Sequence, residues 1–304
     1  MRFFNRIATA LPGARTLYRC LVNLSHGGLS EVYPRGHYHS PLPDIAKTRS
    51  QADVLFRKDV QLDPSLDLRE ESQMALLEEL AVFYEDVDWP KQSSPKHRYY
   101  YDNASFGLGS AFSLSAMMRR FQPRQVIEVG SGFSSAVMLD TNDRFFDGSI
   151  VLTFIEPCPV RLFSLLRPND RRDCRIIQDV VQDVPMSTFE ALQRGDFLFI
   201  DSSHVSKIGS DVNFIFFKIL PALRSGVLVH IHDVHWPFEY PESWITGGIA
   251  WNEGYLLRAF LQYNDRFEIL QFNNFLAYRF QGFFEQHLPR IVTDPGSSFW
   301  MRKR

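Results

Sequence analysis

Cysteine is scarce in this chain of 304 residues: Cys20, Cys158 and Cys174 are odd in number and show no Cys-x-x-Cys spacing. That excludes a disulfide framework and a thiolate zinc site, and points to a reducing, cytoplasmic location. A charge of one sign is equally absent. Thirty-three basic residues against thirty-five acidic ones leave a formal net charge of -2, spread along the sequence. No global field exists to gather nucleic acid or anionic lipid, so neither is expected as a partner. Long apolar runs are missing as well, and nothing approaches the roughly 18 residues of a membrane span. Between Met1 and Ser25 the residues Arg2, Arg6, Arg15 and Arg19 break up the apolar stretches, which excludes a secretory signal and leaves a loose amphipathic helix as the expectation. There is no internal repeat and no low-complexity segment.

What is present is a globular composition, 45% hydrophobic and 14% aromatic, enough for one large domain with appendages. Tyr33 to Asp44 carries three prolines and a glycine among aromatics and reads as an extended arm or lid, one able to exchange between subunits of a homo-oligomer. The apolar spacing of Met74, Leu77, Leu80, Ala81 and Tyr84 predicts a helix over Glu70 to Asp86. A small-residue helix over Phe106 to Phe121, stopped before Pro123, opens a series of alternating strands and helices. Strands are expected at Val126 to Val129, Ile150 to Ile155, Arg175 to Gln178, Phe197 to Ile200 and Val227 to Ile231, with helices from Ser134, over Pro159 to Leu166, Asp211 to Leu223 and Glu253 to Tyr263. That order belongs to parallel βαβ units, hence an α/β, Rossmann-like fold. Phe267 to Phe272 and Phe275 to Phe280 flank Asn273-Asn274 and predict a closing antiparallel hairpin. The organisation that follows is a helical and irregular N-terminal extension over 1–98, a core domain over 99–282 and a tail over 283–304.

Three of these strands end in a carboxylate: Glu128 before the turn Gly130-Ser131-Gly132, Glu156, and Asp201. The glycine turn lies between a strand and an apolar helix, the context that raises such a motif above chance. A pyrophosphate at that helix N-terminus would be repelled by Glu128, whereas an amine or sulfonium would be attracted. Glu156, about 25 residues beyond the turn, is placed to accept hydrogen bonds from ribose hydroxyls. Asp179, after the third strand, is a candidate for the adenine end or for a solvated helix cap. The candidate ligand is S-adenosylmethionine.

The run Glu128 to Ser135, Glu156 and the strand end Ile200-Asp201-Ser202-Ser203-His204 resemble the class I S-adenosylmethionine-dependent methyltransferases. The resemblance covers roughly Tyr99 to Phe280. It implies a seven-stranded, mostly parallel sheet with one reversed strand, the cofactor over the first two strand ends and the acceptor over the fourth and fifth. On this resemblance Glu128, Gly130, Ser131, Gly132, Ser134, Glu156, Asp179 and Asp201 are the cofactor-binding candidates. Gly36 to Asp44 and Tyr101-Asp102-Asn103 also resemble the N-terminal part of bacterial members whose acceptors are mostly unassigned.

Four of the nine histidines, His204, His230, His232 and His235, gather with Asp201 and Asp233 at the ends of two neighbouring strands. Parallel strands release their C-terminal loops at one rim, so these groups are expected to converge on the acceptor. His204 is the candidate base and Asp201 its catalytic partner, while His230, inside a strand, reads as a hydrogen-bonded core histidine. Asp201-x-x-His204 and His232-Asp233 look like the metal-dependent sugar O-methyltransferases of macrolide biosynthesis. That likeness implies a divalent metal on Asp201, His232 and Asp233, with His232 standing where those enzymes carry a glutamate. Imidazole suits zinc, manganese or iron better than magnesium. The reading is O-methylation of a small-molecule acceptor; a metal-dependent oxygenase and a non-catalytic cofactor-binding module are the alternatives. The loop Trp236 to Trp244, with four aromatics and two prolines, is either a wall over the acceptor or a surface loop packed on the N-terminal arm.

Overall fold

A computed structural model describes residues 33–304. They fall into two compact units, divided between Ser50 and Gln51. The expected N-terminal amphipathic helix and Cys20 lie outside the described residues. In the first unit the Pro-rich stretch forms turns, Gly36 adopts φ +82° where any Cβ would strike Asp44, and a helix follows at Ile45–Ser50.

The second unit carries a sheet of seven strands: β1 (Gln125–Val129), β2 (Val151–Ile155), β3 (Arg175–Ile177), β4 (Phe197–Ile200), β5 (Leu228–Ile231), β6 (Phe267–Phe272) and β7 (Phe299–Lys303). Their spatial order is β3-β2-β1-β4-β5-β7-β6. Neighbours from β3 to β5 pair in parallel, and β7 runs antiparallel to both β5 and β6, so it alone is reversed. Strands β4 and β5 are buried along their whole length. A parallel strand covered on both faces has no solvent side, which is why Phe197-Leu198-Phe199-Ile200 reads as a continuous apolar run without alternation. Helices α1 (Glu70–Ala81), α2 (Leu108–Phe121), α3 (Phe133–Phe146) and α4 (Val160–Leu165) follow the expected places, and after a short unexpected helix, α5 (Met186–Glu190), α6 (residues 211–222, with a π-helical turn at Ile215–Ile219) does as well. So does α7 (Glu253–Leu261).

The antiparallel closure is present, but its second strand is not the expected one. Asn273-Asn274 opens a helix, α8 (Asn273–Arg279), which is followed by α9 (Gln281–His287), and the partner of β6 is β7, in the stretch read as a tail. Two side chains favour this outcome. The Asn273 and Asn274 amides donate to the carbonyls of Pro295 and Gly296, at 2.9 and 2.6 Å, so both side chains are committed to long-range contacts and not to a two-residue turn. Trp300 and Phe299 on β7 are fully buried, a burial larger than Phe275 to Phe280 provides from its half-exposed face. Residues 273–297 are thereby inserted between the two strands of the hairpin.

Candidate functional site

The carboxyl ends of β1, β2, β4 and β5 step across one rim. The amides of Gly130, Glu156, Asp201 and His232 donate to the carbonyls of Ile155, Ile177, Val129 and Ile200, at 2.9 to 3.0 Å, so ladder bonds hold each strand end in register. Gly130 has φ +84°, and a Cβ there would lie 1.8 Å from the Asp201 carbonyl oxygen. Only glycine lets the first loop pass this close to the fourth strand.

Glu128 lies beneath that loop. It is fully buried, its carboxyl accepts from the Ser134 hydroxyl at 2.5 Å and from the Ser135 hydroxyl, and the Ser135 hydroxyl in turn accepts from the Gly132 amide at 3.0 Å. Burial pushes its pKa up to about 8, against the opposing serine bonds. Glu128 therefore does not face a cationic ligand as the sequence suggested; it and the Ser134 side chain brace the glycine turn from within. Glu156 does face the rim: its carboxylate accepts from the Ser131 amide at 3.2 Å and the Cys158 amide at 2.8 Å, and it lines two adjoining cavities of about 410 and 580 Å³. Asp179 stands exposed and accepts from the Val180 amide; Val180, Val181 and Gln182 form the cavity wall in its place.

These two cavities run continuously past Gly130, Glu156 and Asp201. The buried Ser131 Oγ and Gln182 Oε1 have no partner there, which fits the polar, hydroxyl-bearing adenosyl group. Two cations line the same walls, Arg161 and Lys207, contrary to a rim of carboxylates alone. The Arg161 side chain crosses beside Gly132 and donates to the Ser105 hydroxyl at 3.0 Å.

Asp201, His204 and Asp233 come together, with ligand atoms within 4.8 Å of one another. His204 Nε2 lies 3.3 Å from Asp201 and 3.6 Å from Asp233, and Nδ1 lies 2.9 Å from Glu253, a buried carboxylate. Both His204 (φ 59°) and Asp233 (φ 56°) hold left-handed backbone, a strain that persists only where surrounding bonds impose it. Here the His204 carbonyl accepts from the amides of Asn252 and Glu253, and Ser297 Oγ donates to Asp233 at 2.8 Å. Burial opposes a charge on His204, but hydrogen bonds with Asp201 and Glu253 outweigh it and push the ring up to about 10. Burial likewise opposes charge on Asp201, and nearby His232, His204 and Arg161 outweigh it, holding that carboxyl below its ordinary value.

His232 is not part of this trio. It is buried, its ring is packed on Phe106 at 4.9 Å, and its Nε2 reaches only Asp233, at 3.6 Å. His204, whose loop is pulled in by α7, takes the place the sequence reading gave to His232. The two-histidine, one-carboxylate set needed for iron and oxygen is therefore not gathered among the described residues. Two carboxylates and one imidazole remain, a donor set that fits a divalent cation. His230 is buried and stacked on Phe199 at 3.8 Å with neither nitrogen partnered, so it is a core histidine without the expected hydrogen bonds, and burial holds its pKa well below the ordinary value. Burial also pushes His235 down to about 4.

A third cavity, of about 600 Å³, adjoins the trio and shares Asp233, Trp244 and Phe106 with the glycine-loop cavity. Half of the residues lining it come from the inserted segment 273–297. The aromatic loop divides its rings: Trp236 and Phe238 are buried against Phe272, whereas Trp244 forms wall to both cavities. Glu253, Trp251 and Arg161 are the site residues that sequence reasoning missed. Trp251-Asn252-Glu253 gives only a helix start in sequence, and the contact to His204 spans 49 positions.

A doubly wound sheet with one reversed strand, a glycine turn after the first strand and an acidic residue after the second define an adenosyl-binding methyltransferase domain. Residues 127–234 match a family model described as a methyltransferase domain. A protein of Archaeoglobus fulgidus, described as uncharacterized, is 32% identical over 174 residues, 54% of this chain and 76% of its own. The chain belongs to the class I S-adenosylmethionine-dependent methyltransferases. Among solved structures it is similar to the SAH-bound methyltransferase PaMTH1 of Podospora anserina (12% identical, TM-score 0.42, 91% of this chain and 100% of that one). The O-methyltransferase of Bacillus cereus in complex with SAH is 15% identical, with TM-score 0.38 over 85% and 97% of the two chains. TomG of Streptomyces achromogenes, involved in tomaymycin synthesis, is 14% identical in its SAM complex, with TM-score 0.40 over 85% and 95%. No helix among the described residues is long and apolar enough to cross a membrane.

Proposed function

We propose that this methyltransferase acts on a hydroxyl oxygen of a small polar molecule, with His204 as the base. One observation carries the reading: the Asp201, His204 and Asp233 group lies where the cofactor cavities meet the 600 Å³ cavity built by the inserted segment. Bound S-adenosylmethionine supplies an electrophilic methyl carbon, which the acceptor oxygen takes as the carbon–sulfur bond breaks.

Glu156 would accept from the ribose hydroxyls of the bound cofactor and the braced glycine turn would hold its methionyl end, with Arg161 in the same wall available to its carboxylate. Alignment of this kind supplies much of the rate in an in-line displacement. Glu253 fixes His204 by its Nδ1 and thereby directs Nε2 at the rim, where the acceptor proton leaves. The ring carries a proton in the carboxylate-rich apoprotein, so it turns into a base when positive charge beside Asp201 and Asp233 offsets those carboxylates. The sulfonium is one such charge. A divalent cation held by Asp201, His204 and Asp233 would be another, and would lower the pKa of the acceptor hydroxyl; a His204 bound to it would leave proton removal to an aspartate.

The test is methyl transfer to a panel of hydroxylated acceptors, read as S-adenosylhomocysteine formed, with His204→Ala alongside. Turnover in the variant is expected to fall about 100-fold or more with S-adenosylmethionine affinity retained. Undiminished turnover would reject the base. Loss of activity on chelation, restored by manganese, would establish the metal.

A further inference from the structure

Lys58 lines the 600 Å³ cavity across from the catalytic rim, and it is held there by its backbone. The buried Trp236 donates from Nε1 to the Lys58 carbonyl at 2.9 Å, and Trp236 itself packs on Phe275 at 4.8 Å. The flanking charges cancel, since Arg57 and Asp59 pair with each other at 3.0 Å. Lys58 meets no carboxylate within 4.0 Å among the described residues.

The acidic groups of the same cavity are Asp233 and Asp294. Asp233 accepts from Ser297 and lies beside His204. Asp294 is set against Gly107, where a Cβ would come within 2.0 Å of its carboxylate, so it lies at the positive N-terminal end of the 14-residue helix α2. Lys58 is thus the one lysine or arginine in this wall, and no carboxylate among the described residues pairs with it.

The remaining wall is polar and aromatic together. Trp244 and Tyr278 offer flat faces, while the amides of Asn103, Asn274 and Gln281 in the same wall are engaged with the carbonyls of Phe106 and Gly296 and with the Glu285 carboxylate. His232 Nδ1 and His235 Nε2 are buried in the wall without partners, so hydrogen-bonding capacity is in excess. An apolar acceptor would leave these groups unsatisfied, at about 1–3 kcal/mol each.

We propose that the acceptor is a polyhydroxylated acid, a sugar acid in chemical class, whose anionic group is held by Lys58 while one of its hydroxyls reaches the methyl-transfer rim. This rests on the O-methylation reading above and names the acceptor's charge and the residue that selects it.

Calorimetric titration of the full chain saturated with S-adenosylhomocysteine separates the two claims. The probes are methyl glucuronide and its neutral counterpart methyl glucoside. The acid is expected to bind at least tenfold more tightly, a difference of about 1.4 kcal/mol, Lys58→Gln to abolish that preference and Lys58→Glu to reverse it. Lys58 is exposed, so its replacement by Gln or Glu is expected to leave the fold intact. Equal affinities for the two probes, no saturable binding of the acid, or a preference that survives Lys58→Gln would overturn the assignment while leaving the methyltransferase reading intact. Failure of S-adenosylhomocysteine itself to bind would overturn both.

Discussion

Gly130 is the position where a single methyl group costs most. A side chain there must occupy left-handed backbone and displace the Asp201 carbonyl, which is backbone and cannot swing aside. Gly130→Ala should lower unfolding free energy by about 2–4 kcal/mol and weaken S-adenosylmethionine binding; denaturant unfolding and calorimetry read the two losses. Glu128, just before it, has a different consequence. Its folded-state pKa, about 8, lies above the ordinary 4.5. The folded protein therefore holds a proton that the unfolded chain gives up, and the stability this group contributes is full below pH 4.5 and is lost as pH rises to 8. Relative to Glu128→Gln, wild type should lose up to about 1.4 kcal/mol per pH unit across that window. Parallel stability curves for the two proteins would refute the protonated brace. Glu253 acts through His204: Glu253→Ala should cut kcat about 100-fold with cofactor affinity kept, and Glu253→Gln, which retains one acceptor for Nδ1–H, should recover part of it.

At the scale of elements, strands β1 to β5 were legible because each is a short, β-branched or aromatic run bounded by turn residues, and buried parallel strands leave that mark wherever they occur. The strand-end positions of Glu156, Asp201 and His204 followed from the same mark. The closure of the sheet was not legible, since Asn273-Asn274 suits a hairpin turn and a helix start alike. What decides between them is the tertiary pull of the Pro295 and Gly296 carbonyls and the burial of Trp300, neither of which local sequence expresses. His232 was misplaced for a related reason: its strand-end position is right, but its ring turns back onto Phe106, while Glu253 draws His204 into the space. Trp300 tests the strand assignment. Its side chain is fully buried and donates to Ser113 on α2 at 3.2 Å, so Trp300→Ala should cost about 3–5 kcal/mol. The matching change at the half-exposed Tyr278, in the strand first expected, should cost far less in the same unfolding measurement.

Over the second unit as a whole, long-range ion networks tie segments that the sheet does not join. The guanidinium of Arg98 is nearly inaccessible and reaches Asp140 at 2.9 Å and Asp143 at 2.8 Å, both on α3, and Asp170 at 2.6 Å. It thereby binds the segment leading into α2 to the helix after the glycine turn and to the β2–β3 connection. Asp140 also accepts from the Arg98 and Tyr99 amides, so its geometry is over-determined. Replacing the whole cluster by apolar groups could be neutral, because burying charges offsets much of their attraction; removing Arg98 alone is different, since Asp140 and Asp170 then stay buried without a cation. Arg98→Ala should cost about 3–5 kcal/mol. The cost should also carry a pH signature. Burial opposes charge on Asp170, but Arg98 outweighs it and holds the carboxyl below its ordinary 3.8. A depressed carboxyl contributes stability above pH 3.8 that is lost as pH falls through its folded value. Denaturant unfolding of wild type and Arg98→Ala should therefore converge as pH is taken down through that range, and a gap that stays constant to the acid limit would show that Arg98 stabilises by packing and not by charge.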